Sequence, residues 1–231
     1  MADSNGYILK VSNLEVKIQN QILLDHVSFN VEKGTTMAIL GPNGAGKTVL
    51  LRTLLNRVPH TGTVDWTEEV KIGYVPQYVS TADIPMTVRE FLSIGNDVDL
   101  ESTLDKVRLM DKSILDKRLG VVSGGQLRRI LIAWALNDNP NVLFLDEPTS
   151  GVDMDSEEPI YLMLNEFKKE HKITIFLITH NIHIVQEYAD SLLALNKCVT
   201  YCGAAAKIIE PDIQRQIYGE PVCVETMRGE R

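Results

Sequence analysis

Apolar residues in this chain fall into two patterns. Mostly apolar runs at residues 36–40 and 173–178, which include Thr36 and Thr174, and a continuous one at 142–145 are too short for helices and end in turn residues. They predict strands buried on both faces, as in a parallel sheet. Residues 8–18 and 27–31 instead alternate, through Ile8, Val11, Leu14, Val16 and Ile18 and then Val27, Phe29 and Val31. These predict half-buried strands, with turns at residues 19–21 and at Lys33-Gly34. Short strands are also expected at 63–66 and at 70–77, the latter stopping at Pro76. Residues 191–195 and 199–202 predict a hairpin. Helical spacing marks residues 49–55, 87 to about 120, 124–137, 155–171 and 181–189, with one or two short helices over 204–217. Thr87 followed by Glu90 three residues later is a capping box. Pro159 fits the 155–171 helix only in its first turn. The segment 225–231 is polar and expected to fray.

Strands alternating with helices predict an α/β fold with a mostly parallel sheet. The 231 residues suit one domain with an ample core. The formal net charge is -8 and there is no dense Lys/Arg run, which argues against nucleic acid as a partner. Three cysteines, Cys198, Cys202 and Cys223, are too few for a disulfide framework and read as ordinary thiols of a reducing compartment. Residues 1–6 lack the basic-then-apolar pattern of a secretory leader. No run approaches the roughly 18 apolar residues of a spanning helix. The expectation is a soluble protein, or one held at a membrane through a partner.

The candidate chemistry begins at Gly41, Pro42, Asn43, Gly44, Ala45, Gly46, Lys47 and Thr48, which fit G-x-x-x-x-G-K-[ST] in full. Glycines let the backbone close around phosphates, and its N–H groups form an anion nest. Lys47 would reach the β- and γ-phosphates, and the Thr48 hydroxyl would ligate Mg²⁺. A strand before the loop and a helix after it place a helix N-terminus at the phosphates.

Further polar residues stand at predicted strand ends. Gln77 follows Pro76, Asp146 and Glu147 close the 142–145 run, and His180 follows the 173–178 run. Taken separately, each has an ordinary reading as a solvated turn or a surface histidine. Ser123-Gly124-Gly125-Gln126 alone reads as a loop and helix cap. Ligands of parallel sheets bind at the strands' carboxyl ends, so the strand-end residues can converge on one nucleotide.

In this order the motifs resemble those of the ATP-binding subunit of ABC transporters, from about residue 8 to 203. The resemblance implies an ABC-type P-loop NTPase, with a mostly parallel core, an antiparallel β subdomain and an inserted helical subdomain at about 87–138, all within one nucleotide-binding domain. It implies ATP and Mg²⁺, with Asp146, Thr48 and Gln77 toward the metal. Glu147 would be the general base, His180 a γ-phosphate partner and Gln77 a sensor of metal and water. Ser123, Gly124, Gly125 and Gln126 match the family signature and would meet ATP held by a second copy, with Asp153 in the D-loop. Two copies would close head to tail over two ATP molecules. A membrane permease would be the second partner, and through it an extracytoplasmic metal-binding protein, at the cytoplasmic face of the membrane.

Three positions depart from the family pattern. Ile18 stands where an aromatic usually stacks on adenine, so base stacking is expected to be weaker. Val122 opens the signature in place of Leu. Arg128 and Trp134 replace a Gln and an Arg in the helix that follows. Residues 73–77 with 84–88, 148–153 and 179–183 resemble the metal-ion uptake branch, and 195–203 resemble its zinc-uptake members. The His-rich tail that zinc members often carry is not found through Arg231, which keeps manganese or iron open. The competing class is a soluble ABC ATPase of the iron–sulfur assembly type.

Overall fold

The computed structural model describes residues 6–79, 84–95, 98–152 and 154–219. In chain order the first elements are strands β1 (Tyr7–Ile18), β2 (Gln21–Glu32) and β3 (Thr36–Leu40), helix α1 (Lys47–Leu54), then β4 (Thr61–Trp66) and β5 (Ile72–Val75). Helices α2 (Val88–Leu92), α3 (Leu100–Lys106) and α4 (Gly124–Leu136) lead to β6 (Val142–Asp146) and α5 (Met154–His171). The chain closes with β7 (Thr174–Ile178), α6 (Ile182–Tyr188), β8 (Ser191–Asn196), β9 (Cys198–Ala204) and α7 (Pro211–Tyr218). These elements form two compact units, one of Met1–Val70 with Thr174–Arg231 and one of Lys71–Ile173.

In the first unit, alternation produces the antiparallel sheet expected of it. β1 and β2 form a hairpin in which Ile18 faces Gln21 and Val11 faces Phe29, and β4 pairs along the other edge of β1. The apolar-rich runs behave differently. Every residue of β3 and of β7 is buried, and β3 lies parallel to β7 on one side and to β8 on the other. β9 returns antiparallel along β8, as the predicted hairpin requires. Ala38, Leu40, Leu192 and Ala194 of the sheet pack against Val185 of α6 and Ile213 and Ile217 of α7. The rings of Trp66 and Phe176 meet edge to face at 6.2 Å.

In the second unit β5 and β6 are parallel, with Ile72 opposite Val142 and Val75 opposite Leu145. The capping box at Thr87 and Glu90 is present. The helical stretch expected from 87 to about 120 is broken into α2, α3 and two 3-10 turns, Lys112–Asp116 and Leu119–Val121. The cause is local: Gly95 sits at φ 90°, and Asp99 and Asp111 each accept from backbone N–H groups ahead of them and start a new turn. α5 begins at Met154, so Pro159 stands in its second turn and not its first. Cys198 is in a disulfide, contrary to the expectation of ordinary thiols, and Cys202 is the free thiol among the described residues. The expected frayed segment at 225–231 lies outside the described residues.

Candidate functional site

The phosphate loop joins β3 to α1 in the first unit. Gly46 is the N-cap of α1 at φ 97°, and no side chain caps the helix. A helix N-terminus without a side-chain cap favours an anion. Pro42, Asn43 and Gly44 form an exposed lip, whereas Ala45 is buried. The loop is braced from below: the Lys197 N–H donates to the Ala45 carbonyl at 2.8 Å, and the Ala45 N–H to Pro42 at 3.2 Å. The Lys47 ammonium donates to the carbonyls of Gly41 at 2.7 Å and Pro42 at 3.0 Å. It is thus held over the loop, close to where a phosphate would sit. Thr48 is half-buried in the first turn of α1.

Two further predicted residues belong to the same unit. Ile18 ends β1 and is 50 % exposed, an apolar side chain turned to solvent at the end of the hairpin. His180 is exposed, just past the end of β7. Its surroundings are fixed by polar caps, since the Asn181 N–H donates to Thr179 Oγ1 at 3.1 Å and the Asn181 side chain caps α6.

The second unit carries the carboxylates. β6 is buried throughout and ends at Asp146, which is 5 % exposed. Glu147 follows at φ 46°, in the left-handed region that a side chain of this size rarely occupies. The Ser150 N–H closes the turn on the Glu147 carbonyl at 3.0 Å. Gln77 follows β5, and its Nε2 donates to Glu147 Oε2 at 2.7 Å and to the Tyr78 hydroxyl at 3.3 Å. The structure therefore brings Gln77 and Glu147 into direct contact.

Ser123 is the N-cap of α4, and with Gln126 it forms a reciprocal capping box: the Gln126 N–H donates to Ser123 Oγ at 3.2 Å and the Ser123 N–H to Gln126 Oε1 at 3.0 Å. Ser123 and Gly124 are exposed, and Gly125 is half-buried in the first turn. Ser123 Oγ accepts the cap bond and keeps its own O–H as a donor. Asp153 lies outside the described residues.

Two side chains were legible in the sequence only as departures from a pattern. Trp134 is 38 % exposed and packs its ring 5.6 Å from that of Phe91. Arg128 is buried, and its guanidinium donates to the carbonyls of Pro76, Gln77 and Ser150. Burial lowers its pKa from the ordinary value, with the neighbouring Tyr78 acting the other way. Its signal in the sequence was an arginine where the family pattern has a glutamine.

Residues 24–150 match the ABC transporter family. The chain is 32% identical over 201 residues to the zinc import ATP-binding protein ZnuC of Photorhabdus laumondii, covering 85% of this chain and 77% of that one. It is 32% identical over 215 residues to zinc import ATP-binding protein ZnuC 2 of Aliivibrio fischeri, covering 92% and 88%. Among solved structures it is similar to cbiO1 from Clostridium perfringens, part of the ABC transporter complex cbiONQ. That match has a TM-score of 0.78 and 26% identity, and covers 91% of this chain and 93% of that one. The chain belongs to the ABC transporter family. It has that family's ATP-binding, P-loop α/β fold and its ATPase activity.

Proposed function

We propose that this chain is the ATP-hydrolysing subunit of an importer of a divalent metal ion, with zinc as the cargo. One observation carries the cargo: relatives about a third identical over most of the chain are named as zinc import ATP-binding proteins. The whole chain then acts as one nucleotide-binding domain, with residues 87–138 as its helical insertion.

Each residue's role follows from its chemistry and the family resemblance. The uncapped N–H groups at Gly46 and the Lys47 ammonium take the phosphates of ATP. By the family resemblance the Thr48 hydroxyl, the Asp146 carboxylate and the Gln77 amide oxygen would each offer an oxygen donor, the ligand type that suits Mg²⁺; the ion would screen phosphate charge. Glu147 accepts the proton of the attacking water. His180 hydrogen-bonds the γ-phosphate, and Ile18 lies against the adenine. Gln77 Nε2 donates to Glu147 Oε2, which orients the base.

The signature residues act in trans. The exposed N-terminus of α4 favours an anion, and Ser123 adds a free O–H donor beside Gly124, Gly125 and Gln126. The anion is the γ-phosphate of ATP on a second copy, reached in a head-to-tail dimer in which Asp153 takes part. No helix among the described residues is long and apolar enough to cross a membrane. The ion's path is assigned to a permease partner, fed by an extracytoplasmic metal-binding protein, with this subunit peripheral on the cytoplasmic face.

The test is uptake of labelled zinc and of labelled manganese by cells carrying only the Glu147→Gln chain, compared with the intact chain. The expected result is loss of zinc uptake alone. Loss of manganese uptake alone reassigns the cargo, and loss of neither overturns the transport reading.

A further inference from the structure

Helix α4 is apolar over most of its surface, yet it buries a full charge one turn from its start. Arg128 is 8 % exposed. Its Nη1 donates to the Pro76 carbonyl at 3.0 Å, and its Nη2 to the carbonyls of Gln77 at 2.5 Å and Ser150 at 2.9 Å. Among the described residues no ion pair is formed by Arg128, so its charge is met by carbonyl dipoles alone. A buried cation without a counter-ion is a costly way to fill space, since an apolar side chain would pack at less expense.

What the guanidinium gains is reach in one plane. Its fixed fork of donors spans two loops at once, which a flexible ammonium or a two-donor amide does less well. Those loops are the two that meet at Glu147. One carries Gln77, whose backbone carbonyl is held by Arg128 while its side chain lies 2.7 Å from Glu147 Oε2. The other is the turn in which the Ser150 N–H holds the Glu147 carbonyl at 3.0 Å and the Ser150 carbonyl accepts from Arg128. Glu147 itself stands at φ 46°, a conformation that persists only where its surroundings impose it.

We propose that Arg128 is a positioning residue for hydrolysis, clamping the Gln77 loop and the Glu147 turn together so that the Gln77 amide stays on the Glu147 carboxylate. Its guanidinium is taken up by the carbonyls of Pro76, Gln77 and Ser150, so it acts through Gln77. The inference rests on the reading of Glu147 as the general base.

The experiment is a kinetic cycle on the purified full chain: wild type, Arg128→Gln, Gln77→Ala, the double variant and Glu147→Gln, each with a thermal midpoint. Arg128→Gln is expected to lower kcat about tenfold, the scale of one lost charge-assisted hydrogen bond. KM for ATP stays within about twofold, because the phosphates are gripped by Lys47 and its loop. In the Gln77→Ala background the same substitution costs less than about twofold, since the group it positions is gone. Losses that multiply, with Arg128→Gln costing as much without Gln77 as with it, would assign Arg128 to folding alone and overturn the proposal. Unchanged kcat in Arg128→Gln overturns it too. If Arg128→Gln does not fold, Arg128→Lys keeps the charge and most of the packing, and its cycle with Gln77→Ala is read the same way. Near-normal turnover of Glu147→Gln is a separate failure: it removes the general base, not the clamp.

Discussion

A single methyl group on the phosphate loop separates backbone strain from steric contact. Gly44 and Gly46 both stand at positive φ, 80° and 97°, so an alanine at either incurs the left-handed penalty of about 1–2 kcal/mol. They differ in surroundings. A Cβ at Gly44 meets nothing within 4 Å, whereas one at Gly46 lies 2.8 Å from the Leu23 carbonyl oxygen and 2.8 Å from Leu24 Cδ2. Leu24 is fully buried in β2 and has nowhere to retreat. The clash adds about 1–3 kcal/mol of overpacking. Gly44→Ala should therefore cost about 1–2 kcal/mol, and Gly46→Ala about 2–5 kcal/mol. The difference between them is free of the unfolded-state entropy common to both substitutions. Urea titrations with equal slopes read it as a shift in midpoint. If the loop instead rotates to relieve the clash, the uncapped N–H groups turn away from the phosphates. ATP binding by Gly46→Ala then weakens more than about tenfold, roughly 1.4 kcal/mol. Equal losses in the two variants, or Gly46→Ala with unchanged midpoint and unchanged ATP affinity, would refute the reasoning.

Two further outcomes are expected. The backbone N–H and hydroxyl of Thr87 hold the Glu90 carboxyl below its ordinary pKa. The folded value is thus lower than the unfolded one, so the contribution is full above the unfolded pKa and is lost as pH falls through the folded value. The stability gap between the intact chain and Glu90→Ala should shrink on acidification; a gap constant with pH contradicts this. Ile18→Tyr supplies a stacking face for adenine and should tighten ATP binding by about 1 kcal/mol, near fivefold; unchanged affinity in a binding titration would remove Ile18 from the base site.

Much of the frame was legible because burial on both faces leaves a plain trace. The runs that became β3, β6 and β7 are apolar at nearly every position and buried at every one. The phosphate loop, the capping box at Thr87 and the helix cap at Ser123 were legible because their partners lie within a few residues of each other. The polar network was not. Arg128 meets carbonyls 22 to 52 residues away, and no local period encodes such a separation. Gln77 and Glu147 are 70 residues apart; the sequence placed both at strand ends but could not say that they touch. The helix from 87 to about 120 failed for the opposite reason. Its apolar spacing was real, but Asp99 and Asp111 offered the backbone local hydrogen bonds that compete with a continuous helix.

The Lys47 ammonium rests on the carbonyls of Gly41 and Pro42. The phosphate loop thereby acts as its own rival for the lysine. A phosphate oxygen that reaches Lys47 displaces an acceptor from the same molecule, so the affinity of a nucleotide measures an exchange and not a gain from nothing. The exchange runs backward at release: as a phosphate leaves, the ammonium returns to neighbours already in reach, and no bare charge is exposed along the way. An engine that must let go on every stroke gains more from such a self-healing grip than from a tighter one.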